Sequence, residues 1–116
     1  MSIELPKPIA LYMESINTTN NAILDACIAK DAHVYDRGED KYINGLEAIK
    51  IWRGNVREEF NLQSEVVNVE EKQGIIIVTS ITSGDFPGSP QLFYYQFTLE
   101  EDLIAKLEIV PGERTA

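Results

Sequence analysis

The chain has 116 residues, 44% of them hydrophobic, which is enough for one core and short of two domains. Its 19 acidic and 10 basic side chains leave a net charge of −9, and the basic residues are scattered along the chain. Such a surface repels phosphate backbones and anionic lipid, so no nucleic-acid or membrane partner is expected.

The opening Met1-Ser2-Ile3-Glu4 has neither a basic segment nor a long apolar one, so no signal peptide is expected and a cytoplasmic location is the default. Pro6 and Pro8 suit the first turn of a helix. Ile9, Tyr12, Met13 and Ile16 then recur at helical spacing in one apolar stripe. The polar run Asn17-Thr18-Thr19-Asn20-Asn21 ends that helix and offers a cap to a second, short one over about Ala22 to Ala29. Cys27, the single cysteine, shares an apolar helical face with Ile23, Leu24 and Ile28 and reads as a buried, inert thiol. Asp31 opens a turn, His33 to Asp36 reads as a short strand, and Arg37 to Asn44 with its Gly38 reads as a loop. Gly45 leads into a third helix, along which Leu46, Ile49, Trp52, Val56 and Phe60 form a helical stripe. Glu47, Lys50, Arg57 and Glu58 are placed for its other side.

From Leu62 the period changes to two. Leu62 to Glu71 is β-rich, and Gln73-Gly74 reads as a hairpin turn. Ile75 to Ser83 is a strand with β-branched residues at nearly every place, as a central strand requires. Its apolar run Ile75 to Val78 is far too short to cross a bilayer. Gly84 to Pro90 is a turn-rich loop carrying Phe86. Phe93, Tyr95, Phe97 and Leu99 then alternate with Tyr94, Gln96, Thr98 and Glu100. Glu101-Asp102 turns the chain into a last strand with Leu103, Ala105, Leu107 and Ile109. Pro111 to Ala116 reads as a frayed tail.

Helices that come first must cover one face of a sheet built from consecutive hairpins. The expectation is therefore one α+β domain over residues 1–116, with its core at about 6–110. It is a curved antiparallel β-sheet of four to six strands, with three N-terminal helices forming a cone. A cone closed by helices leaves a cavity of the kind that binds small molecules.

Two short motifs sharpen this reading. Asp31-Ala32-His33-Val34-Tyr35-Asp36 resembles the strand entry, and Asn44-Gly45-Leu46-Glu47-Ala48-Ile49-Lys50-Ile51-Trp52 resembles the following helix start, of the nuclear-transport-factor-2-like superfamily. That group includes the SnoaL-like polyketide cyclases and the ketosteroid isomerases and has a cystatin-like fold. The resemblance covers about Pro6 to Val110. Ser83 to Pro90 is similar to a segment of uncharacterised bacterial members. Ketosteroid isomerases use a tyrosine on the first helix and an aspartate at the end of the first strand, and Tyr12 and Asp36 match those positions. The family's second oxyanion donor, an acid, falls near Tyr95, and Phe93 to Leu99 contains no acid.

The candidate catalytic residues are accordingly Asp36 and Tyr12. A carboxylate beside apolar groups gains a raised pKa suited to moving a proton, and Asp36 shares a strand face with Val34. A phenol can donate to a developing oxyanion. Candidate ligand-binding residues are Trp52, Tyr95, Phe93, Phe97, Phe86 and Val34, because converging aromatics with a few polar groups build a small-molecule site. His33 faces away from Asp36. No cofactor is required, and one histidine with no Cys or His pair at ligand spacing predicts no metal.

Three functions fit. The first is an enzyme of isomerase or cyclase type in which Asp36 moves a proton on a hydrophobic cyclic or polyketide-like substrate while Tyr12, with Tyr95, holds the oxyanion. The second is a non-catalytic module that holds a small apolar ligand. The third is an interaction domain that uses its sheet face. The resemblance also implies a homodimer formed through that face, with Tyr94, Gln96 and Thr98 in the contact.

Overall fold

The computed structural model of the chain describes residues 4–18 and 21–114. The side chains of residues 21, 56–60, 113 and 114 lie outside the described residues, as do Thr19 and Asn20 of the expected cap. The elements in order are α1 (Lys7–Ile16), a 3-10 helix (Asn21–Ala26), β1 (Ile28–Asp36), β2 (Lys41–Asn44), α2 (Leu46–Phe60), β3 (Gln63–Lys72), β4 (Ile75–Ser83), β5 (Gln91–Glu100) and β6 (Leu103–Arg114). One sheet takes all six strands in the order β2-β1-β6-β5-β4-β3. Its pairings are antiparallel except β1 with β6, which is parallel.

The apolar stripe of α1 is buried as its spacing predicts: Ile9 and Tyr12 are fully covered and Met13 and Ile16 nearly so. Asn17, at the end of α1, clamps the helix to β3. Its side-chain amide donates to the Ser64 carbonyl at 3.0 Å, and its oxygen accepts the Ser64 N–H at 2.7 Å. Gly45 adopts φ +91°, a left-handed conformation that favours glycine. Its N–H donates to the Ala32 carbonyl at 2.8 Å and its own carbonyl accepts the Ile49 N–H, so it ties β1 to the first turn of α2. The expected Gln73-Gly74 turn has positive φ at both residues, as a two-residue hairpin loop requires. Glu101-Asp102 makes the same kind of turn without glycine.

Four expectations are corrected. Among the described residues there are two α-helices, because the segment expected to be the second helix forms a 3-10 helix over Asn21–Ala26. Cys27 N–H bonds the Leu24 carbonyl, three residues back, and β1 claims the chain from Ile28. β1 is accordingly longer than His33 to Asp36. The loop expected over Arg37 to Asn44 contains β2, which pairs back along His33 to Asp36. The expected frayed tail continues β6, with Pro111 opposite Phe93 and Arg114 opposite Gln91. The Gln91 side-chain amide secures it by donating to the Gly112 carbonyl at 2.7 Å.

The core lies between the helices and one face of the sheet. It includes Tyr12, Ile16, Leu24, Cys27, Val34, Ile49, Val78, Phe97, Ile104 and Leu107. Full burial of an aliphatic or aromatic side chain of this kind contributes about 1.5–3 kcal/mol before ordering costs.

Candidate functional site

Strand register arranges the covered face of the sheet in rows. Val34 on β1, Leu107 on β6 and Phe97 on β5 lie opposite one another, and none exceeds 2% exposure. Residues two apart on a strand share a face, so the next row is Asp36, Ile109 and Tyr95. Beyond it, Phe93 lies opposite Pro111. The first row is sealed beneath α1. Over the second and third rows lies a cavity of about 390 Å³, which Trp52 and Arg53 of α2 and Phe86 and Pro87 of the β4–β5 loop also line. Glu39, Pro87 and Pro111 on its lining are exposed and lie toward solvent.

Asp36, Trp52, Tyr95, Phe93 and Phe86 thus share one wall system. Val34 and Phe97 belong to the row beneath and pack in the core. Tyr12 is fully buried and stands edge-on to Phe97, with ring centres 5.6 Å apart, and to Tyr95 at 6.4 Å. It is not part of the cavity lining among the described residues. Its hydroxyl oxygen accepts a 3.2 Å hydrogen bond from Nη1 of Arg53, and Arg53 is the residue that faces the cavity. His33 lies on the other side of β1, exposed, with its Nδ1 2.7 Å from Oδ1 of Asn44.

The electrostatics follow from this placement. Burial raises the pKa of Asp36, and repulsion by Glu39 raises it further. The backbone N–H of Glu39, the charge of Arg53 and the backbone N–H of Gly38 oppose these effects without cancelling them. Burial also raises the pKa of Tyr95, against the Arg53 charge and a hydrogen bond with Thr82. Tyr12 is raised as well, by burial first. Burial thus shifts all three groups toward their protonated forms, and of the three only the carboxyl of Asp36 starts from an acidic range that lets it give up and retake a proton readily. Cys27 is buried and free, and burial pushes its thiol up to about 12, the state of an unreactive cysteine.

Arg53 is the site residue that the apolar pattern passed over. It is 4% exposed, a rare state for an arginine. A signal was present. Position 53 is four residues after Ile49, which is fully buried, so the helical period carries Arg53 into the covered face. Its guanidinium packs over the Trp52 ring, with Cζ 4.6 Å from the centroid, and over Tyr12 at 5.7 Å. Among the described residues, no group of three or more His, Cys, Asp or Glu side chains could hold a metal ion.

Comparison with solved structures places this geometry. A protein of Sinorhizobium meliloti, provisionally named a polyketide cyclase, is 30% identical to the chain. The match covers 90% of this chain and 94% of that one, with a TM-score of 0.83. The chain belongs to the SnoaL-like, nuclear-transport-factor-2-like superfamily. More distant SnoaL-like and related proteins share its fold. A protein of Catenulispora acidiphila with a ketosteroid isomerase-like fold, solved with trimethylamine, has a TM-score of 0.80 at 14% identity, covering 91% of this chain and 85% of its own. IdmH of Streptomyces antibioticus, provisionally assigned as a polyketide cyclase, has a TM-score of 0.76 at 15% identity, covering 94% and 93%. No family model matches the sequence, and no curated protein matches it. No helix among the described residues is long and apolar enough to cross a membrane.

Proposed function

We propose that this SnoaL-like protein moves a proton on a small, largely apolar carbonyl compound held in the cavity above Asp36. The observation that carries the reading is one row of the sheet. A carboxyl group with a raised pKa and a tyrosine hydroxyl stand on the same wall, two strands apart, beneath an aromatic roof. Asp36 takes the proton from the carbon beside the carbonyl: the C–H bond breaks, a carboxyl O–H bond forms, and the electron pair moves onto the carbonyl oxygen. Tyr95 donates the hydrogen bond that this oxyanion needs. Asp36 then returns the proton to the same carbon, to a conjugated carbon or to the oxygen. This takes the oxyanion role away from Tyr12, whose hydroxyl sits behind the wall.

The test is hydrogen–deuterium exchange at activated C–H positions of cyclic ketones and diketones, followed by NMR in heavy water. Asp36→Asn is expected to lower enzyme-dependent exchange by about 10²–10⁴-fold. Exchange that is unchanged in that variant sinks the assignment.

A second reading has its own support. With Tyr12 turned to Arg53, the oxyanion donor of the family's isomerases does not reach the cavity, which favours ligand binding without chemistry. Saturable binding of a ring compound with no exchange in either protein would select it. The homodimer through the outer sheet face and the cytoplasmic location remain part of the proposal. A single-species monomer in sedimentation at micromolar concentration counts against the dimer.

A further inference from the structure

Arg53 stands on the cavity wall with 4% of its surface exposed. Among the described residues, the Tyr12 hydroxyl oxygen is the one acceptor that meets its fork of N–H groups, and its Nε–H is buried without an acceptor. Among the same residues, the ion pairs join Arg37 to Glu108 and Lys50 to Asp25, and neither includes Arg53. A buried cation in this state bears a desolvation cost of several kcal/mol, roughly, that one neutral hydrogen bond and two ring faces repay only in part. Asp36 faces the same cavity but forms no ion pair with it.

The lining decides what would complete this group. Among the described residues of the lining, Arg53 is the one basic residue, and Asp36 and Glu39 are the acidic ones. A dianion such as a phosphate ester would meet one cation against two carboxyl groups. A planar monoanion matches the guanidinium fork and the single charge. The rest of the wall is apolar and aromatic, with Trp52, Phe86 and Phe93 around the space.

We propose that the cavity takes a small ring compound bearing one carboxylate, with the carboxylate against Arg53 and the ring among Trp52, Phe86 and Phe93. The inference adopts the site of the preceding reading and names its substrate class. The carboxylate turns Arg53 from an unmatched charge into a hydrogen-bonded pair and leaves the carbonyl oxygen of the substrate to Tyr95.

The experiment is equilibrium binding to the whole chain, so it is independent of turnover. Trp52, the only tryptophan, reports through its fluorescence. The probes are cyclohexanecarboxylate and cyclohexanecarboxamide, which share a ring and differ in charge. The acid is expected to bind at least about tenfold more tightly than the amide. Arg53→Gln is expected to erase that preference. Arg53→Lys keeps part of it, because the ammonium retains the charge but not the fork. Asp36→Asn keeps or widens it by removing a like charge, whatever that variant does to proton exchange. Absence of saturable acid binding, equal binding of acid and amide, or a preference that survives Arg53→Gln overturns the proposal. If circular dichroism shows that Arg53→Gln fails to fold, the acid-to-amide ratio in the unaltered protein and the partial loss in Arg53→Lys decide the matter.

Discussion

Arg37 and Arg53 meet their surroundings in opposite ways. Arg37 follows β1 on the outer side, exposed. Its Nε and Nη2 reach Oε2 of Glu108 at 3.0 and 2.5 Å, and its Cζ lies 5.9 Å from the Tyr35 ring. Tyr35 in turn stacks on Tyr42 at 4.3 Å and donates its hydroxyl hydrogen to Asp40. The guanidinium and the Tyr35 hydroxyl there each meet a carboxylate, although water would have served nearly as well. Arg53, 4% exposed, has among the described residues a single phenolic oxygen, and its Nε–H has no acceptor there. Charge is matched where matching is worth little and left open where it costs most. A region built only for stability would show the reverse, and the contrast supports the proposal that a ligand completes the cavity side.

The largest test of this contrast is in the sealed row. Phe97→Ala removes a fully buried ring that supports both Tyr12 and Tyr95. It is expected to lower stability by about 3–5 kcal/mol in urea unfolding. Tyr42→Ala on the outer edge, 69% exposed, should change it by less than about 0.5 kcal/mol. Comparable losses at the two positions would mean that the outer tyrosine pair carries structure and that the contrast is drawn in the wrong place.

Tyr12→Phe is the next largest. It keeps the ring and deletes the one acceptor that meets Arg53 among the described residues, so it leaves a buried guanidinium with none from them. The expected loss is about 1–3 kcal/mol. A neutral result would show that Arg53 finds another acceptor and would weaken the case for an open cation. Tyr35→Phe, which loses only the exposed bond to Asp40, serves as the control.

Much of this architecture was legible in the sequence, and the failures have physical reasons. The stripe Ile9, Tyr12, Met13, Ile16 is periodic and buried as read, and in the alternation Phe93, Tyr95, Phe97 the last two are buried while Phe93 is half-buried at the cavity. Asp36 and Tyr95 reach one wall because the register is set by the same alternation. The short segment Asn21–Ala26 could go either way, since six residues are too few for helix propensity to outweigh the adjoining strand. Tyr12 was placed on the correct face but one layer too near the cavity, because periodicity gives direction and not depth. Arg53 escaped because its buried position contradicts its type. A pattern that counts apolar residues skips a charge inside the stripe, and such local conflicts mark functional sites.

Asp36 tests the cavity side through pH, with an effect expected to be smaller than that of Tyr12→Phe because the carboxyl is only half-buried. Burial and Glu39 raise its folded pKa above the ordinary 3.8. The folded state then holds a proton that the unfolded chain has released. Stability contributed by this group therefore falls as pH rises from the ordinary carboxyl value through the raised one, and is constant above it. Asp36→Asn should melt higher than the unaltered protein at neutral pH, and the gap should close as pH falls below the ordinary value. A variant that melts lower at neutral pH would mean that the carboxylate is held by favourable partners, and the general-base argument would lose its electrostatic basis.

The smallest effect is expected at Arg37, and its smallness is informative. The Arg37–Glu108 pair has good geometry, with two donors on one oxygen, yet the arginine side chain is 57% exposed. Ordering two long side chains in water offsets most of the Coulomb gain, so Arg37→Ala should cost about 0–1 kcal/mol. Salt should shrink even that, since exposed charges are screened within a few ångströms to a nanometre at ordinary ionic strength. The Tyr12→Phe loss involves a group that solvent does not reach, so it should persist at high salt. Measuring both variants across a salt series separates the two arginines by mechanism as well as by size. If the Arg37 effect survived salt while the Tyr12 effect vanished, the guanidinium of Arg53 would have to be hydrated, and the cavity would have no unmatched charge for a ligand to complete.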